Sequence, residues 1–470
     1  MILTEDVVSF NEIEHIAQRI AFEYGREIIS STLEDWDTSL RKSRDRTIYD
    51  NRGKKATTIK TVLGEVPYSR TLYDIYEGDA KLGSVYLLDE AIGISGSGRF
   101  SEMLRDMIVQ SCCDGAYRSA ARSVSEMTGQ TISHTAAWNV VQALGERIDD
   151  HEQRTAALAA ENKGEGTLET AVLFEEQDGV HLKLQGKDRK EHGKDKEMKV
   201  AIAYDGAVKK GKKRYELTNK VACANFEGAA AFVKRKEGVI ASAYDVDEII
   251  IRFLNADGAP WIKQSITDEN VHFQLDQFHR NNAITRAVTD PDIKDKLRKI
   301  LYSKDIELLL HVIEVEALST DDEDERKKYM DLHTYFRNNK EGLIPIHRRG
   351  LDIPEPPEGK EYRRMGAMES NIYTIIGNRM KGGRACWSIN GGDNLARLLC
   401  LKHTHRLSDT LERLSACVLP DRYVEEITVE YSAAKVPPHE GKGYNGFKQA
   451  LIPSDQKWLK EIAKIRPLYS

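Results

Sequence analysis

The sequence predicts a multidomain α/β protein, in which a mixed-sheet core with an all-helical insertion is preceded by a small β-hairpin and a helix–turn–helix region. Three observations carry this expectation. The chain has 470 residues, too many for one ordinary core. From residue 168 onward, strand-like runs come first at hairpin spacing and then alternate with helical stretches, the pattern of a layered mixed sheet. Ahead of them, apolar residues recur at helical spacing in two separate places.

Residues 10–40 carry Ile13, Ile16, Ala17, Ile20, Ala21 and Tyr24 on one helical face. Residues 57–62 and 66–73 alternate as strands around Leu63-Gly64-Glu65, which predicts a hairpin bearing Arg70 and several tyrosines. From Gly98 the pattern turns helical. One helix holds Tyr117, Ala120, Ala121, Val124 and Met127 at core spacing and breaks at Thr128-Gly129-Gln130, where glycine suits a left-handed cap. Ser133 then caps a second helix with Ala136, Ala137, Val140, Val141 and Leu144 inward. A helix–turn–helix of this size fits a DNA-reading unit, with His134, Thr135 and Asn139 toward bases and Arg118 and Arg122 toward phosphates. The same geometry also occurs in proteins that never meet DNA.

After a small, polar linker at 157–166, strands are expected at 168–174, 180–184, 199–204 and 215–224. A helix follows at 229–241, then apolar strands at 249–254 and 271–275. Residues 281–337 read as helical, interrupted by an acidic run, Asp321 to Glu325, expected to be a solvated loop. A proline-rich connector holds Pro345, Pro354, Pro356 and Pro357.

Composition narrows the function without naming it. Hydrophobic residues make up 40% and charged residues 31%, which suits a polar-surfaced protein with real cores. The net charge of -6 gives no global basic field, so any nucleic-acid surface must come from local Lys/Arg clusters. None of the six cysteines forms a CxxC pair, so zinc-ribbon spacing is absent and reduced thiols are expected. The first six residues are acidic early and lack a signal-peptide stretch, and no apolar run is long enough to span a bilayer. The expectation is a cytoplasmic protein.

Three acidic segments stand out. In Glu176-Gln177-Asp178-Gly179-Val180-His181 an acid ends one expected strand and another strand follows; read alone, this Asp-Gly is a hairpin-turn signal. Asp205-Gly206, followed by Lys209, Lys210, Lys212 and Lys213, reads as an ordinary hairpin. Asp257-Gly258-Ala259-Pro260-Trp261-Ile262-Lys263 sets an acid at the C-terminal end of an apolar strand, where open α/β sheets place ligand-binding groups. Glu369 opens a helix whose Ile372, Ile375, Ile376 and Met380 share a face, and a glutamate there also suits the helix dipole. Asp276 and His279, three residues apart, can share one helical face. Arg379, Lys381, Arg384 and Trp387 mix basic and aromatic groups in a way that suits backbone phosphates and an unpaired base.

The ordered set Asp178-Gly179-Val180, Asp257-Gly258-Ala259-x-Trp261-Ile262-Lys263, Asp276-x-x-His279 and Gly366-x-x-Glu369-Ser370-Asn371 resembles the ISLre group of bacterial insertion-sequence transposases. Leu63-Gly64-Glu65-Val66, Leu87-Leu88-Asp89-Glu90 and the run from Arg379 to Ser388 belong to the same resemblance, which covers nearly the whole chain. The chain is also distantly similar to Mutator-like transposases. The resemblance implies a ribonuclease-H-like DDE catalytic domain at about 165–400 with a helical insertion at about 281–360. An N-terminal region (1–95), a helix–turn–helix region (96–156) and a C-terminal extension (401–470) would complete the chain.

It further implies Asp178, Asp257 and Glu369 as catalytic, metal-binding carboxylates. These are hard oxygen ligands for two Mg²⁺ or Mn²⁺ ions about 3.5–4 Å apart. Asp276, His279, Arg379, Lys381, Arg384 and Trp387 would stand behind them or touch DNA. The implied partners are double-stranded DNA, as transposon terminal repeats and target, and further copies of the chain, since two ends must be held by a dimer or larger assembly. The expected site of action is the bacterial cytoplasm, at the nucleoid when DNA-bound. The alternatives are a catalytically inactive, transposase-derived DNA-binding protein and a metal-dependent nuclease of the same fold.

Overall fold

The computed structural model describes residues 9–93, 100–212, 214–266 and 268–415. The expected helical onset at Gly98, the turn residue Lys213, the extreme N-terminus, Cys417 and the extension beyond 415 lie outside these residues. Two compact units emerge. One holds the described residues up to 108 with Ala121–Ala136, the other Val109–Ala120 with Ala137–Leu414.

In the first unit, helix α1 (Phe10–Ser43) starts at a capping box, where Ser9 and Glu12 satisfy each other's backbone N–H groups. It packs on a three-stranded antiparallel meander of β1 (Tyr49–Thr61), β2 (Gly64–Glu77) and β3 (Ala80–Val85). The expected hairpin is therefore longer than its apolar alternation and gains a third strand, because Lys-rich and Gly-containing stretches pair once β2 offers a central partner. The core is Leu33, Trp36, Ile59, Val66, Tyr68 and Leu88, the last from α2 (Leu87–Ala91). Buried Asp37 accepts from the Thr71 amide and hydroxyl at 2.8 and 2.6 Å, tying α1 to β2. Arg70 is buried against Asp89 of α2, which gives the Leu-Leu-Asp-Glu segment a structural role.

Helices α3 (Glu102–Asp114), α4 (Tyr117–Thr128) and α5 (His134–Ala160) follow. Gly129 takes φ +67°, and the Ser133 hydroxyl accepts from the Ala136 amide at 3.1 Å, as the sequence predicts for the turn and the cap. Met127, expected inward, is 56% exposed.

The second unit is built on a five-stranded mixed sheet. Its strands are β4 (Val172–Lys183), β5 (Asp195–Tyr204, after the short helix α6, Gly186–His192) and β8 (Val221–Asn225), with β9 (Ile251–Ala256) and β10 (Val271–Leu275). Between β5 and β8 the chain makes a small hairpin, β6 (Ala207–Lys209) and β7 (Tyr215–Leu217), which splits the single strand expected at 215–224. The order is β10-β9-β4-β5-β8; β5 runs antiparallel to β4 and β8, while β9 and β10 run parallel to β4.

The β4 strand corrects one expectation. Asp178-Gly179 is no turn: the strand continues through it, Asp178 pairing with Val200 and Gly179 with Lys199. Glycine serves space here, since a Cβ at 179 would fall 2.1 Å from the Glu197 carboxylate.

Side chains alternate across β4. Glu175 faces α7 (Ala229–Ala241), meeting Lys236 at 2.5 Å and Arg252 at 2.7 Å in a buried ion network. Phe174, Glu176 and Asp178 face the other way, and Phe174 meets the Tyr362 ring at 5.2 Å. The helical insertion holds α8 (Gln277–Ala287), α9 (Pro291–Ser303), α10 (Ile306–Ser319) and α11 (Glu323–Asn338), which share one core with β9 and β10. The acidic run is largely solvated, as expected, but only Asp321 and Asp322 lie in loop. Asp322 caps α11, accepting from the Asp324 and Glu325 amides, and the following acids sit at the positive end of the helix dipole.

After an irregular connector come α12 (Met368–Ile372), a π-turn (Tyr373–Gly377) and α13 (Asn378–Met380) in continuous helix. Then follow α14 (Ile389–His403) and α15 (Leu407–Ser415). Cys112, Cys113, Cys223, Cys386 and Cys400 are free thiols. No helix among the described residues is long and apolar enough to cross a membrane.

Candidate active site

Strand register brings the first two acids together. Gln177 of β4 pairs with Ala256 of β9, so Asp178 and Asp257 are the next residues on adjoining parallel strands. The chain turns after Asp257 because Gly258 adopts φ +80° and the Asp257 carboxylate accepts from the Ala259 amide at 2.9 Å. Tyr335 of α11 donates to the Asp257 carbonyl at 2.7 Å, which fixes this turn to the insertion.

His279 completes the cluster. Asp276 is the N-cap of α8, accepting from the Phe278 and His279 amides at 2.9 and 3.1 Å and from Asn255 at 2.9 Å. Its carboxylate is thus spent on holding the helix start, and it does not share a face with His279 as the spacing alone allows. The His279 Nε2 atom instead lies 3.7 Å from Asp178 Oδ2, an ion pair longer than a hydrogen bond. Asp178 chiefly raises the His279 pKa, with further help from Asp276 and Asp257, while burial opposes it. Burial raises the Asp257 pKa, and the charges of Asp178 and Glu197 push the same way. Asp257 and His279 open onto a cleft of about 440 Å³ walled by α8 and α11, with Arg286 and Lys328 on its rim.

Glu369 stands differently. It is exposed on α12, its side chain makes no hydrogen bond or ion pair among the described residues, and no three His, Cys, Asp or Glu side chains there converge as a metal cluster. Its helix is nonetheless anchored beside Asp178. Glu176, fully buried and two residues earlier on the same face of β4, accepts from the amides of Gly366, Ala367 and Met368 at 3.0, 3.1 and 3.2 Å. Tyr204 and Asn255 donate to the same carboxylate at 2.7 and 3.2 Å. Burial raises the Glu176 pKa, against the hydrogen bonds from Tyr204, Ala367, Asn255 and Gly366.

The remaining expected residues divide. Arg379 is wedged between the Tyr117 and Trp387 rings, 5.5 and 5.3 Å from their centroids, and donates to the Cys112 carbonyl at 2.7 Å. Trp387 is buried, its indole donating to the Met380 carbonyl at 2.9 Å, so neither residue is an open platform for a base. Lys381 and Arg384 are exposed. So are His134, Thr135 and Asn139 on α5 and Arg118 and Arg122 on α4.

Sequence reasoning missed Asn255, Glu197 and Tyr335, and held Glu175, Glu176 and Glu361 only in reserve as acids to reconsider should Glu369 point elsewhere. For Glu176 a signal existed, since an acid two residues from Asp178 on one strand shares its face. The others become neighbours only through the sheet and the insertion.

The UPF0236 profile, described as an uncharacterised protein family, matches residues 3–410. A UPF0236 protein of Caldanaerobacter subterraneus subsp. tengcongensis is 24% identical over 387 residues, 80% of this chain and 73% of its own length. A second from that organism, whose name joins eleven designations, is 22% identical over 409 residues, 84% of this chain and 78% of its own. A UPF0236 protein in the vanSb 3′ region of Streptococcus gallolyticus is 24% identical over 385 residues, 80% of this chain and 76% of its own. The chain belongs to the UPF0236 family.

Proposed function

We propose that this protein is a DDE-type DNA transposase, similar to those of the ISLre group, with a ribonuclease-H-like fold in its larger unit. The observation that carries the reading is the pair Asp178–Asp257, consecutive across two parallel strands and coupled closely enough that Asp178 helps raise the Asp257 pKa. The sheet order and the antiparallel β5 support the fold. The anchoring of the Glu369 helix to Glu176, on the face that bears Asp178, supports Glu369 as the third acid. A relative whose name joins eleven designations from one bacterium fits an element present in many copies.

The donor set fits a hard divalent cation such as Mg²⁺ or Mn²⁺, because two neighbouring carboxylates repel each other without one. Asp178 and Asp257 would hold it with Glu369. Its chemistry would be activation of water or a 3′-hydroxyl and stabilisation of the leaving oxygen in phosphodiester cleavage and strand transfer. His279, when protonated, offsets the Asp178 charge, and Asp276 keeps His279 in place through the start of α8. Exposed Lys381, Arg384 and the α4–α5 side chains would meet DNA, and two ends held together imply an assembly of at least two copies.

The test is excision and strand transfer from a plasmid carrying the coding sequence with its flanking DNA, in Mg²⁺. Asp178→Ala, Asp257→Ala and Glu369→Ala should each abolish both steps, and activity surviving any of them refutes that assignment. Hydrolysis without joining would identify a nuclease, and DNA binding alone an inactive descendant.

A further inference from the structure

Besides the acidic cleft of about 440 Å³, the second unit holds a larger groove of about 1270 Å³ at the opposite end of β4, bounded by the β6–β7 hairpin, the segment leading into α12, and α14–α15. Seven Lys and Arg side chains line it against three carboxylates, Glu165, Glu216 and Asp409. Five of the seven are Arg214, Arg363, Arg364, Arg406 and Arg413, and among the described residues none of them makes a salt bridge. The chain as a whole carries net negative charge, so this concentration of guanidinium without carboxylate partners is local.

We infer that this groove binds the phosphodiester backbone of a nucleic-acid strand and leads it toward the Asp178–Asp257 cluster. Guanidinium forks without carboxylate partners are the groups that hold phosphates, and a basic groove is the footprint of a tracked backbone. The Arg363 guanidinium lies 3.6 Å over the Tyr215 ring, a planar surface of the kind on which bases stack. Burial and the neighbouring Arg413 charge lower the Arg406 pKa, a strain that an anion would relieve.

Position connects the groove to the acids. Glu361 pairs with Ala207 at the hairpin, Tyr362 packs on Phe174, and Gly366–Met368 are pinned to Glu176. This strap runs along β4 from the groove to the helix bearing Glu369. From Phe174 to Asp178 the strand advances about 13 Å. The choice of nucleic acid over another polyanion rests on the function proposed above.

The test uses the full chain in EDTA with a fluorescein-labelled oligonucleotide, single-stranded and as a duplex, read by anisotropy across salt concentration. The variant Arg214→Ala/Arg364→Ala/Arg413→Ala removes three exposed side chains, and unchanged circular dichroism reports its fold. It should bind at least one oligonucleotide form about tenfold more weakly at low salt, with a salt slope shallower by about two to three. Lys299→Ala, an exposed lysine of α9 that does not line the groove, should bind as the parent does. Parental affinity and slope in the triple variant, or no binding of either form by the parent, overturns the groove. If the groove result holds while Mg²⁺-dependent cleavage is absent, the transposase reading falls alone. Cleavage with an unaffected groove variant sinks only the groove.

Discussion

Glu176 is the residue whose replacement should tell most about how the site is assembled. Its two carboxylate oxygens serve five donors, three of them the amides that open the Glu369 helix. Glu176→Gln keeps the volume but turns one oxygen into a donor. The least costly placement sets the new amide nitrogen at Oε1, where the Tyr204 hydroxyl can rotate and accept. Only the Ala367 amide then loses its acceptor, at about 1–3 kcal/mol for one buried unsatisfied group. Glu176→Ala strips all five donors, and a broken buried network of this kind costs about 3–5 kcal/mol, the losses not being additive. Because the chain forms two units, a single unfolding midpoint is a poor gauge. Hydrogen exchange at residues 366–368 reads the effect locally: protection should fall in Gln and collapse in Ala, with strand transfer falling in the same order. Unchanged exchange at those amides in Glu176→Ala would refute the view that this carboxylate pins the helix.

Three further outcomes follow from the same geometry. Asp178→Asn should lower the His279 pKa, seen by NMR titration. With the carboxylate present the raised value means the pair stabilises the fold at low pH and loses that contribution as pH rises through it, so the variant should flatten this dependence. Gly258→Ala should cost more than Gly179→Ala in thermal stability. The first forces a left-handed alanine onto the Asn339 side chain, about 1–2 kcal/mol or more, whereas the second meets only the movable end of Glu197. Burial pushes the Asp393 carboxyl up to about 7, so folding favours its protonated form and loses stability as pH climbs from the ordinary aspartate range through 7. Asp393→Asn, which can still accept from the Phe226 amide, should therefore gain on the parent in melts at pH 8 and lose that gain at pH 4.

Local chemistry explains what could be read without coordinates. Helix α7 falls on the expected 229–241 and β10 on 271–275, because helix periodicity and a bounded apolar run are local signals. Gly129 and Ser133 do in the structure what their backbone preferences require. Expectation failed where pairing partners decide. Asp178-Gly179 has the composition of a turn, yet pairing with β5 holds it extended. The acidic run has the composition of a loop, yet Asp322 finds a helix to cap.

For the acids with which the functional reading began, sequence alone determined their identity, their order and the strand end that carries Asp257. It could not determine their company. Only the tertiary structure decided that Asp178 and Asp257 become neighbours, since a β4–β9 register joins residues 79 positions apart, the difference between 178 and 257. It alone decided that His279 turns toward Asp178 while Asp276 is consumed in capping, and that buried Glu176 carries the helix of Glu369. The reason is physical: hydrogen-bond partners and desolvation are properties of packing between distant segments, and no local pattern of residues encodes them.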